Sequence, residues 1–271
     1  MTKPEAQNAN IQDKDHLWLQ ISTMPYFRGL IRSVEASFYD EIELDSPTLD
    51  LGCGDGHFAS VVFDRKIEIG TDPWWKPLSE AGRRQAYQGL TQSDGAAQPF
   101  PDGYFCSAVS NSVLEHIPHI DEVLVETARV LRPGAPLIFC VPNERYLTEL
   151  AIPSILIRFG LRYLADIYTD WFRRMSRVHH ADASDIWEVR LNNAGFTLEK
   201  WWHYFSPDAM RVLEWGHYLG LPSLLSRWLT GRWILVPTRW NLAITQKFLR
   251  PHAYATPYPQ GTFTFFIARK N

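Results

Sequence analysis

An α/β fold, with a mainly parallel sheet covered by helices on both faces, is predicted by three features of this sequence. Short apolar runs alternate with segments of helical period between residues 47 and 141. That alternation is the pattern of repeated strand–helix–strand units. The first apolar run ends in a glycine-rich turn, Asp50-Leu-Gly52-Cys53-Gly54-Asp-Gly56, and the second ends in Asp72, twenty positions after Gly52. Glycines let the backbone approach a ligand closely. An acidic residue at that distance is placed to accept hydrogen bonds from ribose hydroxyls. Together they predict a cofactor that contains adenosine.

Each element follows in order. Residues 1–15 are polar, without an apolar signal segment, and read as a disordered N-terminus of a cytoplasmic protein. Residues 16–271 read as a single domain. Apolar residues recur at helical spacing from Leu17 to Ile21 and from Phe27 to Phe38, interrupted at Pro25, which predicts two helices packed against the sheet. Strands are expected near 47–51, 67–71, 89–93, 105–110 and 135–141. Gly134 is expected to stop a helix near 120–132. Asp182 or Ser184 is a candidate cap for a last helix that ends at Asn193-Ala-Gly195. Residues 196–205 and 262–269 read as two further strands. Two insertions remain, 145–181 and 206–260.

The glycine spacing argues for one class of cofactor. Dinucleotide binding needs G-x-G-x-x-G, whereas this turn reads Gly52-x-Gly54-x-Gly56 behind an acidic Asp50. A pyrophosphate beside that carboxylate would be repelled; a sulfonium and an ammonium would not. The turn resembles the first motif of the class I S-adenosylmethionine-dependent methyltransferases. Three later segments carry the same resemblance. Residues 93–105 (SDGAAQPFPDGYF) are similar to that family's acidic loop. Residues 108–117 (AVSNSVLEHI) are similar to its fourth strand and the turn after it, and 128–139 (ARVLRPGAPLIF) to its helix, turn and fifth strand. The order matches the subgroup that includes quinone-biosynthesis methyltransferases, over residues 44–144.

The resemblance implies a Rossmann-like seven-stranded mixed sheet with the seventh strand antiparallel beside the sixth. It implies S-adenosylmethionine as cofactor, held by Asp50, Gly52, Cys53 and Gly54, with Asp72 and the following Pro73 at the ribose. Asp94 and Gly95 then face the adenine and Asn111 the sulfonium. Tyr26 and Arg28 are candidates for the cofactor carboxylate. Methyl transfer asks the protein to align the reacting atoms and exclude water, and some acceptors need a base. His116, past the fourth strand, and the pair His179 and His180, at the end of the first insertion, are the candidate bases. Glu115 is read as facing the exterior of its helix.

Charge divides the chain. Residues 1–144 carry 11 Lys and Arg against 21 Asp and Glu; residues 145–271 carry 16 against 9, with eight of the eleven tryptophans. The basic, aromatic half holds both insertions, which are expected to form a substrate cap over the carboxyl ends of the strands, where open α/β sheets bind ligands. Their apolar stripes with interspersed arginines favour a small apolar or lipid-like acceptor and peripheral membrane contact through 206–236. Cys53, Cys106 and Cys140 lie in or beside apolar strands and read as reduced, buried residues, with no metal-ligand spacing. Two rival functions are a nucleic-acid methyltransferase and a non-catalytic scaffold with this fold. Scattered basic residues, and Ser110-Asn111-Ser112-Val113 in place of an Asn-Pro-Pro-Tyr tetrapeptide, argue against nucleic acid. The intact acidic and glycine positions argue against the scaffold. The oligomeric state is not specified by the sequence.

Overall fold

The computed structural model describes residues 14–271. Of the segment 1–15, Lys14 and Asp15 are described. The Asp15 side chain caps the first helix, accepting from the Trp18 N–H at 3.2 Å; the rest of that expectation lies outside the described residues. The elements in chain order are α1 (His16–Ile21), α2 (Tyr26–Phe38), β1 (Thr48–Leu51), α3 (His57–Val62), β2 (Ile67–Asp72), α4 (Trp75–Arg84), β3 (Tyr87–Gln92), β4 (Ser107–Asn111), α5 (Ile120–Val130) and β5 (Pro136–Pro142). There follow α6 (Ala151–Arg158), α7 (Arg162–Ser176), α8 (Ser184–Asn193), β6 (Phe196–Tyr204), α9 (Pro207–Leu219), α10 (Leu221–Thr230), α11 (Ala243–Leu249) and β7 (Phe263–Lys270).

The strands form one seven-stranded sheet in the order β3-β2-β1-β4-β5-β7-β6. β1 to β5 run parallel, and β7 is antiparallel to both of its neighbours, β5 and β6. This is the Rossmann-like mixed sheet expected from the sequence.

Strand periodicity divides the core into two layers. Ile138 and Cys140 of β5 face one side with Val109 and Phe265, against Leu30 and Val34 of α2 and Met210 of α9. Leu137, Phe139 and Val141 face the other, against Val123 and Leu124 of α5 and Trp187 and Leu191 of α8. Trp187 lies against Phe139 and Phe266, with ring centroids 5.3 and 6.1 Å away.

Local chemistry departs from expectation at three points. α5 ends at Val130 because Leu131 turns extended, and Gly134, at φ +81°, serves the turn into β5 instead. α8 begins after Ala183 with no side-chain cap; the Asp182 carboxylate pairs with Arg190 at 2.6 Å. β3 starts at Tyr87 rather than near 89, because Tyr87 pairs with Ile67 of β2.

The two insertions brace each other. The first is the α6–α7 hairpin, which leaves β5 at its carboxyl end; the second contains α9, α10 and α11. The buried Glu214 carboxylate of α9 accepts from the free N–H groups of Ala151 and Ile152 (the latter at 3.2 Å), so a side chain distant in sequence caps α6. The hydroxyls of Tyr168 and Tyr218 meet at 2.6 Å and tie α7 to α9. Among the described residues, no helix is long and apolar enough to cross a membrane.

Candidate cofactor and acceptor site

The carboxyl ends of β1, β2 and β4 meet at the glycine-rich turn. Gly52 takes φ +76°, and its N–H and that of Cys53 both donate to the Thr71 carbonyl, at 2.8 and 2.9 Å. This locks the turn against the end of β2. The Asp72 carboxylate closes the arrangement: Oδ2 accepts from the Gly54 N–H at 3.1 Å and Oδ1 from the Trp74 N–H at 2.8 Å. Burial raises the Asp72 carboxyl above its usual range, and these two donors oppose the shift. Pro73 is held by Gln92, whose Nε2 donates to its carbonyl at 3.0 Å.

Asp50 sits beneath the turn. Its Oδ2 accepts from the Tyr87 hydroxyl at 2.6 Å. The Tyr87 ring fits there because Gly70 has no side chain; a Cβ on Gly70 would lie 2.9 Å from the ring. Burial pushes the Asp50 carboxyl up to about 6, against the Tyr87 hydrogen bond and the Arg32 charge. At the β3 end, Asp94 is exposed. Its Oδ1 accepts from the Ala96 N–H at 2.9 Å and lies 3.3 Å from His119 Nε2. Gly95 packs on α5, where a Cβ would come within 3.0 Å of Val123.

Beside the end of β4 lies a buried polar hub on α2. Glu35 is fully buried. Its Oε2 accepts from Arg32 at 2.8 Å and from Asn111 Nδ2 at 2.6 Å; its Oε1 accepts from the Ser112 hydroxyl at 2.8 Å and the Tyr204 hydroxyl at 3.1 Å. Arg32 also donates to the Asn111 carbonyl at 3.0 Å, and Cys140 Sγ lies 3.1 Å from Asn111 Oδ1. The Asn111 amide is thereby fixed in orientation. Burial works against the Arg32 charge, and Glu35, together with the other acidic groups around it, more than offsets it.

The third group surrounds Glu115. Contrary to the expected exterior position, its side chain is buried, with Oε2 lacking any partner. Its carbonyl accepts from the His179 and His180 N–H groups at 2.8 and 3.1 Å, which anchors the end of the first insertion. His116 Nδ1 lies 2.9 Å from the Arg177 carbonyl. A carbonyl only accepts, so Nδ1 carries the proton and Nε2 keeps its lone pair, 3.7 Å from Glu115 Oε1. Burial lowers the His116 pKa and so favours this neutral form. His180 is held on both nitrogens, by the Ile117 carbonyl at 3.0 Å and Asp182 at 3.4 Å. The His179 residue is exposed. His116 and His179 each keep a ring nitrogen without a hydrogen-bond partner, and His116 is the one in the turn after β4.

Burial pushes the Glu115 carboxyl up to about 8 from an ordinary 4.5. The native state then binds a proton that the unfolded state has released, so stability should fall as pH rises through that window. Glu115→Gln, a neutral isostere, is expected to flatten the decline. Urea midpoints of both proteins at about pH 5 and about pH 9 check it; identical slopes would remove the assignment.

Comparison with known proteins places this arrangement. Residues 49–139 match a family model described as a methyltransferase domain. The match takes in the glycine-rich turn, Asp72, Asp94 and Asn111. A fatty-acid O-methyltransferase from Mycolicibacterium smegmatis is 38% identical over 104 residues, 36% of this chain and 38% of that protein. A probable chloroplastic tocopherol O-methyltransferase from Oryza sativa subsp. japonica is 29% identical over 232 residues, 77% of this chain and 61% of that protein. The chain thus spans less than two thirds of the length of these relatives. The crystal structure of geranyl diphosphate C-methyltransferase from Streptomyces coelicolor A3(2) superposes with a TM-score of 0.54 at 14% identity, covering 91% of this chain and 82% of that one. At that identity the likeness is one of fold.

The cofactor of methyltransferase domains of this class is S-adenosylmethionine, and the residues present fit it. Gly54 offers an open side, where a Cβ would meet no atom within 4 Å. Each Asp72 oxygen takes one backbone donor and retains a lone pair for a hydroxyl. Asp50 and Asp72 around the turn suit a cationic ligand and oppose a pyrophosphate, whereas Asp55 is paired with Arg84 at 3.1 Å. Glu35, Arg32, Tyr204, Tyr87 and Glu115 are additions of the structure to the site predicted from sequence.

Proposed function

We propose that this protein transfers a methyl group from S-adenosylmethionine to a small, apolar or lipid-like acceptor. The observation that carries the reading is that the α6–α7 hairpin and α9 leave the carboxyl ends of β5 and β6, on the same edge of the sheet as the cradle at β1, β2 and β4. Two apolar insertions thus border the acceptor side. In support, the two curated relatives above are named for a fatty acid and for tocopherol. The cofactor, when bound, supplies a methyl carbon already activated by positive sulfur.

This chain's residues do the rest. Asp72 accepts the ribose hydroxyls, the turn at Gly52–Gly54 gives close backbone approach, and Asp94 and Gly95 border the adenine. Asn111, oriented by Glu35, fixes the rim of the site at β4. His116 Nε2 takes the proton of an acceptor hydroxyl, and the Arg177 carbonyl holds the resulting imidazolium through Nδ1–H. The insertions exclude water from the reacting atoms. Residues 206–236 add peripheral membrane contact, in keeping with α10, none of whose residues is buried.

Calorimetric titration with S-adenosylhomocysteine, with NADH as control, tests the cofactor; labelled methyl transfer into lipid extracts tests the acceptor class. Micromolar binding of S-adenosylhomocysteine alone, with label in the apolar fraction, is expected. Label confined to polar or nucleic-acid fractions would refute the acceptor class. Asp72→Ala is expected to weaken S-adenosylhomocysteine binding by about 1–3 kcal/mol through lost ribose hydrogen bonds. Unchanged affinity in the same titration would overturn that role.

A further inference from the structure

We infer that the α6–α7 hairpin docks on the surface of an anionic lipid bilayer, its tip seated at the boundary between headgroups and acyl chains. From Ser154 to Leu164 the chain is largely apolar yet almost wholly exposed: Ile155, Ile157, Phe159 (74%), Leu161, Tyr163 (77%) and Leu164 all face out. The helix ends at Phe159, and Gly160, at φ +77°, turns the chain toward α7, so these side chains form an apolar wedge at the tip of the hairpin.

The wedge is firmly mounted. Glu214 caps the start of α6, the Tyr168–Tyr218 pair ties α7 to α9, and Phe172 and Ala165 are buried beneath. A loosely held segment could fold its apolar side chains inward; this one is braced so that they stay out.

Charge identifies the occupant. Residues 145–181 carry six arginines against three carboxylates. Among the described residues Arg158, Arg162, Arg173 and Arg174 form no ion pair, although all four are exposed on the hairpin. In the second insertion four of the five arginines are paired, Arg211, Arg227, Arg239 and Arg250 with Asp208, Glu80 and Asp15, and only Arg232 forms no ion pair among the described residues. Unpaired arginines next to exposed apolar and aromatic side chains complement an anionic headgroup layer over an apolar interior. A second copy of this chain would set the same arginines against each other. Because the hairpin leaves the carboxyl end of β5, docking turns the mouth of the methyltransferase domain toward the bilayer.

The test is flotation of the full chain with phosphatidylcholine vesicles, with and without phosphatidylglycerol. The wild type is expected to float with the anionic vesicles. Phe159→Asp with Leu161→Asp should reduce the bound fraction more than about tenfold. Arg158→Ala with Arg162→Ala should lower binding to anionic vesicles roughly fivefold per arginine and leave binding to neutral ones unchanged. All four positions are exposed, and circular dichroism verifies the fold. Absence of vesicle binding, or binding unchanged in both variants, would overturn the inference. So would loss of binding only in Leu225→Asp with Trp228→Asp of α10. A concentration-dependent dimer abolished by Phe159→Asp, without vesicle binding, would assign the wedge to a second copy instead. The assay uses neither cofactor nor methyl acceptor, so its failure is separate from failure of the proposed methyl transfer.

Discussion

Replacing Glu35 with alanine is expected to destabilise the native state by about 3–5 kcal/mol, the cost of breaking a buried ion pair by removing one partner. Glu35 gathers donors from three parts of the fold: Arg32 on α2, Asn111 and Ser112 at the end of β4, and Tyr204 at the end of β6. Its removal leaves the Arg32 guanidinium, whose side chain is only 18% exposed, without its counter-charge. The Tyr204 hydroxyl and Asn111 amide lose their acceptor in a region closed to water. Glu35→Gln separates two effects. The amide keeps one acceptor oxygen but presents donors to donors, so the loss should lie near that of alanine rather than near the wild type. Urea unfolding of the three proteins at one pH decides the matter. A loss below about 1 kcal/mol for Glu35→Ala would mean that water replaces the carboxylate.

The second large effect belongs to Gly52. Gly52→Ala is expected to lower S-adenosylhomocysteine affinity by about a hundredfold or more, with a smaller loss of stability. Two causes act together. At φ +76° an alanine pays about 1–2 kcal/mol for the left-handed conformation. Its Cβ would also lie 2.3 Å from Val113 Cγ1, so the turn after β4 must move. That turn carries Asn111 and Ser112, and the glycine turn holds the Gly54 N–H against Asp72. Gly54→Ala is the control for the stability loss, because in the free protein its Cβ meets nothing within 4 Å and it pays the conformational cost alone. Val113→Ala in the Gly52→Ala background should recover the steric part. Failure of Val113→Ala to recover any affinity of the Gly52 variant in calorimetry would show that the contact with Val113 is unimportant.

These two residues show why one half of the site was legible and the other was not. Gly52, Gly54 and Asp72 lie within a single strand–turn–helix–strand unit, so their spacing along the chain encodes their proximity. The alternation of apolar runs with segments of helical period likewise placed the sheet and the helices on its faces, because each run is a local property of the chain. Glu35 and Tyr204 are 169 positions apart, and no period connects them. A signal for Glu35 did exist. It falls on the apolar stripe of α2, between Ile31 and Phe38 at helical spacing, where a carboxylate must find partners inside. Glu115 had no such signal. It lies in a short turn of a single 3₁₀ helix, where neither period applies. The insertions were legible as apolar helices. That so many of their side chains would face outward was not, because hydrophobic periodicity marks a face without saying what covers it.

The position of β7 has a consequence for how the molecule comes into being. β7, which follows the other six strands of the sheet in chain order, lies inside it, hydrogen-bonded to β5 on one side and β6 on the other. While a ribosome makes the chain, β1 to β5 can assemble with their helices as a parallel half. β6, although already translated, has no neighbour to pair with until residue 270 emerges. Phe263, Phe265 and Phe266, all buried at the end, are the residues that complete both core layers. The open edge of β5 and an unpaired aromatic β6 (Trp201, Trp202, Tyr204) therefore coexist in the nascent chain, a state prone to strand addition from other molecules. Closure is a late, long-range event, and the interval before it is when this protein most needs shelter from its own kind.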